Sequence, residues 1–172
     1  MRIVILETGG TINGILDPAD PPPIESRVVA WLQEQAQSLD LQLEATIVMM
    51  KDSRAIEDAD RAALAAAIES LQADRILISH GTYTMPATGS YLRQHLSPRA
   101  QRGSIVLVGS MIPLGEAGSD APTALEFAVR SLQQQPVGVW IAMQQQLWHP
   151  DKVVKDSVSG KYIEHHQAQL QQ

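Results

Sequence analysis

Three short stretches concentrate groups that can do chemistry: Thr8-Gly9-Gly10-Thr11-Ile12, Lys51-Asp52-Ser53 and Ser79-His80-Gly81-Thr82-Tyr83-Thr84. Hydroxyl side chains occur in all three. A threonine hydroxyl becomes a useful nucleophile only when a base or a hydrogen-bonded relay takes its proton. Glycines beside it let the backbone approach a ligand closely. Asp52 and Ser53 could hold the charged ends of an amino-acid ligand. Each stretch also has a plain structural reading. A Gly-Gly turn can end a strand, Lys51 to Ser53 can open a helix, and the His80 stretch can cap one.

The neighbouring elements decide whether these stretches can act together. Five apolar runs read as strands: Arg2–Leu6, Leu43–Met49, Arg75–Ser79, Ser104–Val108 and Val137–Ala142. They are short and bounded by turn residues, and apolar without alternation, which predicts strands covered on both faces. Helical periodicity fills the gaps. Val28, Val29, Leu32, Ala36 and Leu39 mark one face, and Leu64, Ile68 and Leu71 another with Asp58 as its N-cap; residues 87–95 and 122–134 supply two more helices. Alternating strand and helix predicts an α/β fold: a doubly wound, mostly parallel sheet flanked by helices in three layers, Rossmann- or flavodoxin-like, in a single domain. Ligands bind such sheets beyond the carboxyl ends of the strands. All three hydroxyl-bearing stretches fall at those ends. The domain is expected over residues 1–150, with 151–172 as a polar, solvated or partner-dependent tail holding His165, His166 and a Gln-rich end.

Composition narrows the function classes. The 172 residues are 44% hydrophobic and carry a net charge of −6 with no basic stripe, so no nucleic-acid partner is expected. Without cysteine there is no disulfide, thiolate metal site or cysteine nucleophile. No histidine stands in metal-ligand spacing, so no metal and no cofactor are expected. The glycine stretch lacks the third glycine of a dinucleotide fingerprint, and no Gly-Lys-Ser/Thr of a phosphate-binding loop occurs. No basic leader or membrane-length apolar run is visible, which predicts a cytoplasmic location and no membrane partner.

Taken together and in this order, the stretches resemble the bacterial-type L-asparaginase family, in a short form containing only the N-terminal catalytic domain. Thr8 to Ile12 match its T-G-G-T-I stretch. His80 to Thr84 match its H-G-T-D-T stretch at all but one position. Val108-Gly109-Ser110-Met111-Ile112-Pro113 with Ser119-Asp120 match a third motif. The resemblance implies hydrolysis of a small side-chain amide to acid and ammonia. Thr11 would be the nucleophile, and Thr82 would belong to a triad with an aspartate and a lysine. Gly10, Asp52, Ser53 and Gly81 would bind substrate, Ser53 through its α-carboxylate. It also implies a homo-oligomer, a dimer or tetramer.

The departures fall on the chemistry. Tyr83 stands where the family has its aspartate, which is also the natural partner of a substrate ammonium. The family lysine aligns with Gly103, and the loop tyrosine has no counterpart at Gly14-Ile15-Leu16. Activity is therefore expected to be reduced or altered, with a substrate lacking a free α-amino group as one outcome. The alternative is an impaired homologue that binds a small amide or amino-acid ligand, or a partner, without turnover. Tyr83, Lys51, Arg102 and Glu7 could each replace a lost group; otherwise Tyr83 would fill the space of the lost carboxylate, Lys51 and Arg102 would be solvated, and Glu7 would be paired elsewhere. His80 could be a base or a residue hydrogen-bonded in place.

Overall fold

The structure is a computed structural model describing residues 1–23 and 25–165. The expected three-layer α/β fold is present. Strands β1 (Arg2–Gly9), β2 (Gln42–Lys51), β3 (Arg75–Ser79), β4 (Ser104–Val108), β5 (Gly138–Met143) and β6 (Gln146–Trp148) form one sheet in the order β2-β1-β3-β4-β5-β6. The first five are parallel, and β6 folds back antiparallel on β5. The helices are α1 (Arg27–Ala36), α2 (Asp58–Ser70), α3 (Met85–His95) and α4 (Ala121–Gln134).

Alternate residues of each inner strand feed two separate apolar layers. Val4, Leu6, Ile76, Ile78, Ile105 and Leu107 pack with Leu64 and Ile68 of α2 and Leu92 of α3. Ile3, Ile5, Leu77, Val106 and Val108 pack with Val28 and Leu32 of α1 and Leu125, Val129 and Leu132 of α4. Two-sided burial explains why these strands read as continuous apolar runs. Between β1 and β3 the chain changes face, from α1 on one side to α2 on the other. That switch point falls at the strand ends where Gly10 and Gly81 lie, the place where open parallel sheets bind ligands.

Three local expectations need correction. The edge strand β2 is not covered on both faces, since Ile47 is 57% exposed. Helix α2 is capped by Glu57, whose amide donates to Asp60 Oδ2 at 2.9 Å, so Asp58 is its first residue and not its N-cap. The segment after Trp148 is not a loose tail. Val153–Lys155 (β7) pairs antiparallel with Tyr162–Glu164 (β8), and Val153 and Tyr162 are buried in the α2/α3 layer. Pro150 packs so closely on Gly89 of α3 that a Cβ there would lie 2.8 Å from it, and Arg93 Nε binds Asp151 at 3.0 Å. The expected polar tail therefore begins with a folded hairpin; His166 and the Gln-rich end lie outside the described residues. Among the described residues no helix is long and apolar enough to cross a membrane.

Candidate active site

The first turn is set by the end of β1. Thr8 Oγ1 donates to Ser79 O at 2.8 Å, and the β1–β2 register slips between Glu7 and Gly9. Gly10 N then donates to Lys51 O at 2.9 Å, which ties this turn to the end of β2. Gly10 sits at φ 83°, a region that disfavours side chains, and initiates the tight 3-10 turn Thr11–Asn13. Thr11 opens that turn and is half-buried.

Glycines bring the three stretches into contact. A Cβ built on Gly10 would lie 2.3 Å from both Gly81 Cα and Gly81 N, and one built on Gly81 would lie 2.7 Å from Ser53 Oγ. No side chain fits in either gap. The residues following these two glycines are Thr11 and Thr82, so the two threonines leave adjoining points of touching turns. On the far side, a Cβ on Gly109 would lie 3.1 Å from Thr82 Cγ2 and 2.4 Å from His80 O. The Gly109–Met111 segment thus closes the same cluster, held by Asp120, whose carboxylate accepts from Met111 N at 2.9 Å and Ile112 N at 3.0 Å. Asp120 fixes this loop and is committed to it.

Thr82 is held from the C-terminal hairpin. Tyr162 Oη donates to Thr82 O at 2.7 Å, and Lys155 Nζ donates to Thr82 Oγ1 at 2.8 Å. Burial lowers the Lys155 pKa below its usual value, and the nearby Arg54 charge lowers it further against the pull of Asp52. An amine so placed reaches its neutral, proton-accepting form more readily than an exposed lysine. Gly103, which the sequence alignment sets at the family's lysine position, precedes β4 at the opposite end of the sheet from Thr82, while Lys155 is in hydrogen-bond contact with Thr82.

Tyr83 is 58% exposed and does not fill the interior. Lys155 Nζ lies 3.8 Å from its ring centroid, and the Arg54 guanidinium carbon lies 5.1 Å away. Asp52 is buried and takes Arg54 N at 2.7 Å, Nε at 2.9 Å and a terminal guanidinium nitrogen at 3.0 Å. Burial alone would raise the Asp52 pKa, but the Arg54 bonds and charge outweigh it and hold the carboxyl below its usual range. Ser53 Oγ accepts from Tyr83 N at 3.2 Å, and Thr84 Oγ1 donates to Ser53 O at 2.7 Å. With Gly10 N on Lys51 O and Tyr83 N on Ser53 Oγ, two of the backbone amides available to an oxyanion are already engaged.

The other candidate groups have structural partners. Lys51 Nζ binds both oxygens of Asp60, at 2.7 and 2.9 Å. Arg102 sits in the turn before β4, away from the strand ends. Glu7 is buried on the α1 side of the sheet, where it accepts from Ser26 Oγ and from Asn13 Nδ2 at 3.3 Å. Its carboxyl is pushed up by burial, an effect those two bonds oppose. Asn13 also donates to Ser79 Oγ at 3.4 Å, so Glu7 braces the Thr11–Asn13 turn against α1 and β3.

His80 is fully buried. Its Nδ1 donates to Gly81 O at 2.7 Å, which can only accept, so Nε2 accepts the Thr88 hydroxyl at 2.9 Å. Burial lowers its pKa to about 4, and the imidazole is a neutral clamp on the Gly81 turn. An unfolded histidine binds its proton near pH 6.5. The stability that neutral His80 permits is thus complete above pH 6.5 and is lost as pH falls from there towards 4, by up to about 3 kcal/mol. Imidazole resonances of His80 should be unchanged from pH 8 to 5; titration near 6.5 would contradict this assignment.

Comparison with known proteins identifies the family and the fold. The family model for the asparaginase N-terminal domain matches residues 2–161, a span that includes the hairpin through Lys155. An L-asparaginase of Thermococcus kodakarensis is 27% identical over 158 residues, covering 90% of this chain and 48% of that protein. The solved thermostable L-asparaginase from Thermococcus kodakarensis shares the fold, with a TM-score of 0.81 at 24% identity over 95% of this chain and 51% of that one. A probable cytoplasmic L-asparaginase from Campylobacter jejuni superposes with a TM-score of 0.77 at 26% identity, covering 95% of this chain and 52% of that one. The chain spans about half the length of these relatives. The chain belongs to the asparaginase family, of which it contains the N-terminal domain.

Proposed function

We propose that this chain is an amidohydrolase that releases ammonia from a small side-chain amide, with Thr11 as nucleophile and Thr82–Lys155 as the proton relay. The observation that supports it most is the 2.8 Å contact of Lys155 Nζ with Thr82 Oγ1, one residue from the Gly10–Gly81 contact that carries Thr11. Neutral Lys155 draws the Thr82 proton, leaving the Thr82 oxygen able to accept one in turn. Thr11 Oγ attacks the amide carbon, the C–N bond breaks, and the nitrogen leaves as ammonia with the proton taken from the nucleophile. Water then hydrolyses the ester on Thr11. Gly10, Asp52, Ser53 and Gly81 form the wall against which the ligand lies. Purified protein should release ammonia from asparagine or a related ω-amide. Absence of release from every such amide at high enzyme concentration would defeat the reading and favour a ligand-binding protein without turnover.

The site is open, with Tyr83, Met111 and Leu16 exposed around it. Water left in an open cleft weakens every electrostatic contact there. We infer a homo-oligomer that covers this mouth, acting in the cytoplasm. Light scattering should give at least a dimer and a strict monomer would contradict it; fractionation outside the cytoplasm would contradict the location.

A further inference from the structure

The charges lining the site are unbalanced. Arg54 and Lys155 both face Tyr83; Asp52 opposes both charges, and Asp17 opposes that of Arg54 as well. Asp52 is not free to receive a ligand cation. Its two oxygens take three Arg54 nitrogens, and its side chain is 5% exposed. The other carboxylates close in sequence are tied to backbone amides, Asp17 while still acting on the Arg54 charge. Asp156 accepts from Ser159 N at 2.8 Å in the β7–β8 turn, and Asp17 accepts from Ala19 N at 2.9 Å. Helix α3 begins at Met85, directly after the Thr82–Thr84 turn, and its N-terminal end adds positive potential at the same place. Tyr83 presents an aromatic face already shared by two cations.

We propose that the site takes the ω-amide of a dicarboxylic acid that keeps one free carboxylate and carries no α-ammonium group. The inference rests on the amidohydrolase reading of the site and goes beyond it by naming the ligand class. A free carboxylate meets the Nη1 end of Arg54, whose Nε and Nη2 are taken by Asp52 and Leu16 O and whose charge persists at any working pH, and Lys155 whenever it is protonated. An ammonium on the adjoining carbon would lie among like charges with no carboxylate available to it. Amides of unsubstituted diacids meet this requirement, as does an asparagine whose amino group is acylated.

Calorimetry with succinate and L-aspartate separates binding from turnover. Succinate should bind wild-type protein at least tenfold more tightly than aspartate. Y83D places a carboxylate beside Lys155 and should shrink that ratio at least tenfold. R54Q, which unmasks Asp52 without adding a group, should shift it the same way if Y83D fails to fold. Equal or tighter binding of aspartate by the wild type, or no binding of either diacid, would overturn the proposal. Ammonia release should likewise be faster from succinamate than from asparagine. Selective succinate binding with no ammonia from succinamate would sustain the ligand class while defeating the hydrolase reading.

Discussion

Replacing Thr11 by alanine should lower ammonia release by at least about 10³-fold, because members of a nucleophilic unit act together and removing the nucleophile forfeits nearly the whole effect. Fold and ligand binding should survive. Thr11 is half-buried, and the turn that carries it is held through the backbone: Asn13 N and Ile15 N both donate to Gly10 O, at 3.0 and 3.2 Å. Trimming the side chain to a methyl, which removes both the hydroxyl and the γ-methyl, disturbs neither backbone bond. The Thr11→Ala protein should therefore bind diacids with wild-type affinity while releasing no ammonia above background. A variant that retains more than a tenth of the activity would place the nucleophile elsewhere.

Lys155→Met should cost about 10²- to 10⁴-fold in kcat, the usual contribution of a positioned proton-transfer group. Methionine keeps the stem that packs under Tyr83 and removes only the amine. Lys155→Arg should recover little, because arginine keeps the charge but cannot give up its proton. A role limited to charge or packing would be rescued by arginine. The pH profile adds a second readout. The relay needs neutral Lys155, so kcat/KM should rise with pH along a limb centred below the ordinary lysine value of 10.5, in line with the burial and the Arg54 charge that depress it. Loss of that limb in the arginine variant would tie it to this residue. An unchanged limb would assign it to another group.

Much of this architecture was legible from residue types. The five parallel strands are buried on both faces except at β2, and burial on both faces writes a continuous apolar run into the sequence. Thr11, Asp52, Ser53, Gly81 and Thr82 stand at strand ends, where an open parallel sheet binds its ligands. The glycines were readable as turn residues, but the Gly10–Gly81–Ser53 contact is long-range and leaves no local trace. The C-terminal hairpin was illegible for a definite reason. Its strands are three residues long, and the residues it buries in the core, Val153 and Tyr162, are separated by a polar turn. Lys155 therefore sits in a stretch whose composition is that of a solvated tail. Its partner Thr82 is 73 residues away, so spacing alone could not pair them. The same limit applies at Gly103, since a string match beside a strand does not say which end of the sheet it occupies. The tyrosine at position 83 is visible in the sequence, but the pairing of Asp52 with Arg54, which sets much of the charge of the site, needs coordinates.

The account stands on a covalent bond between Thr11 and the acyl group of its substrate. Acid-quenching the enzyme during turnover of succinamate, then mapping peptides by mass spectrometry, tests this directly. The acyl group should appear on the peptide containing Thr11 and vanish in Thr11→Ala. An adduct on Thr82, or steady ammonia release without any adduct and undiminished in Thr11→Ala, would contradict the mechanism.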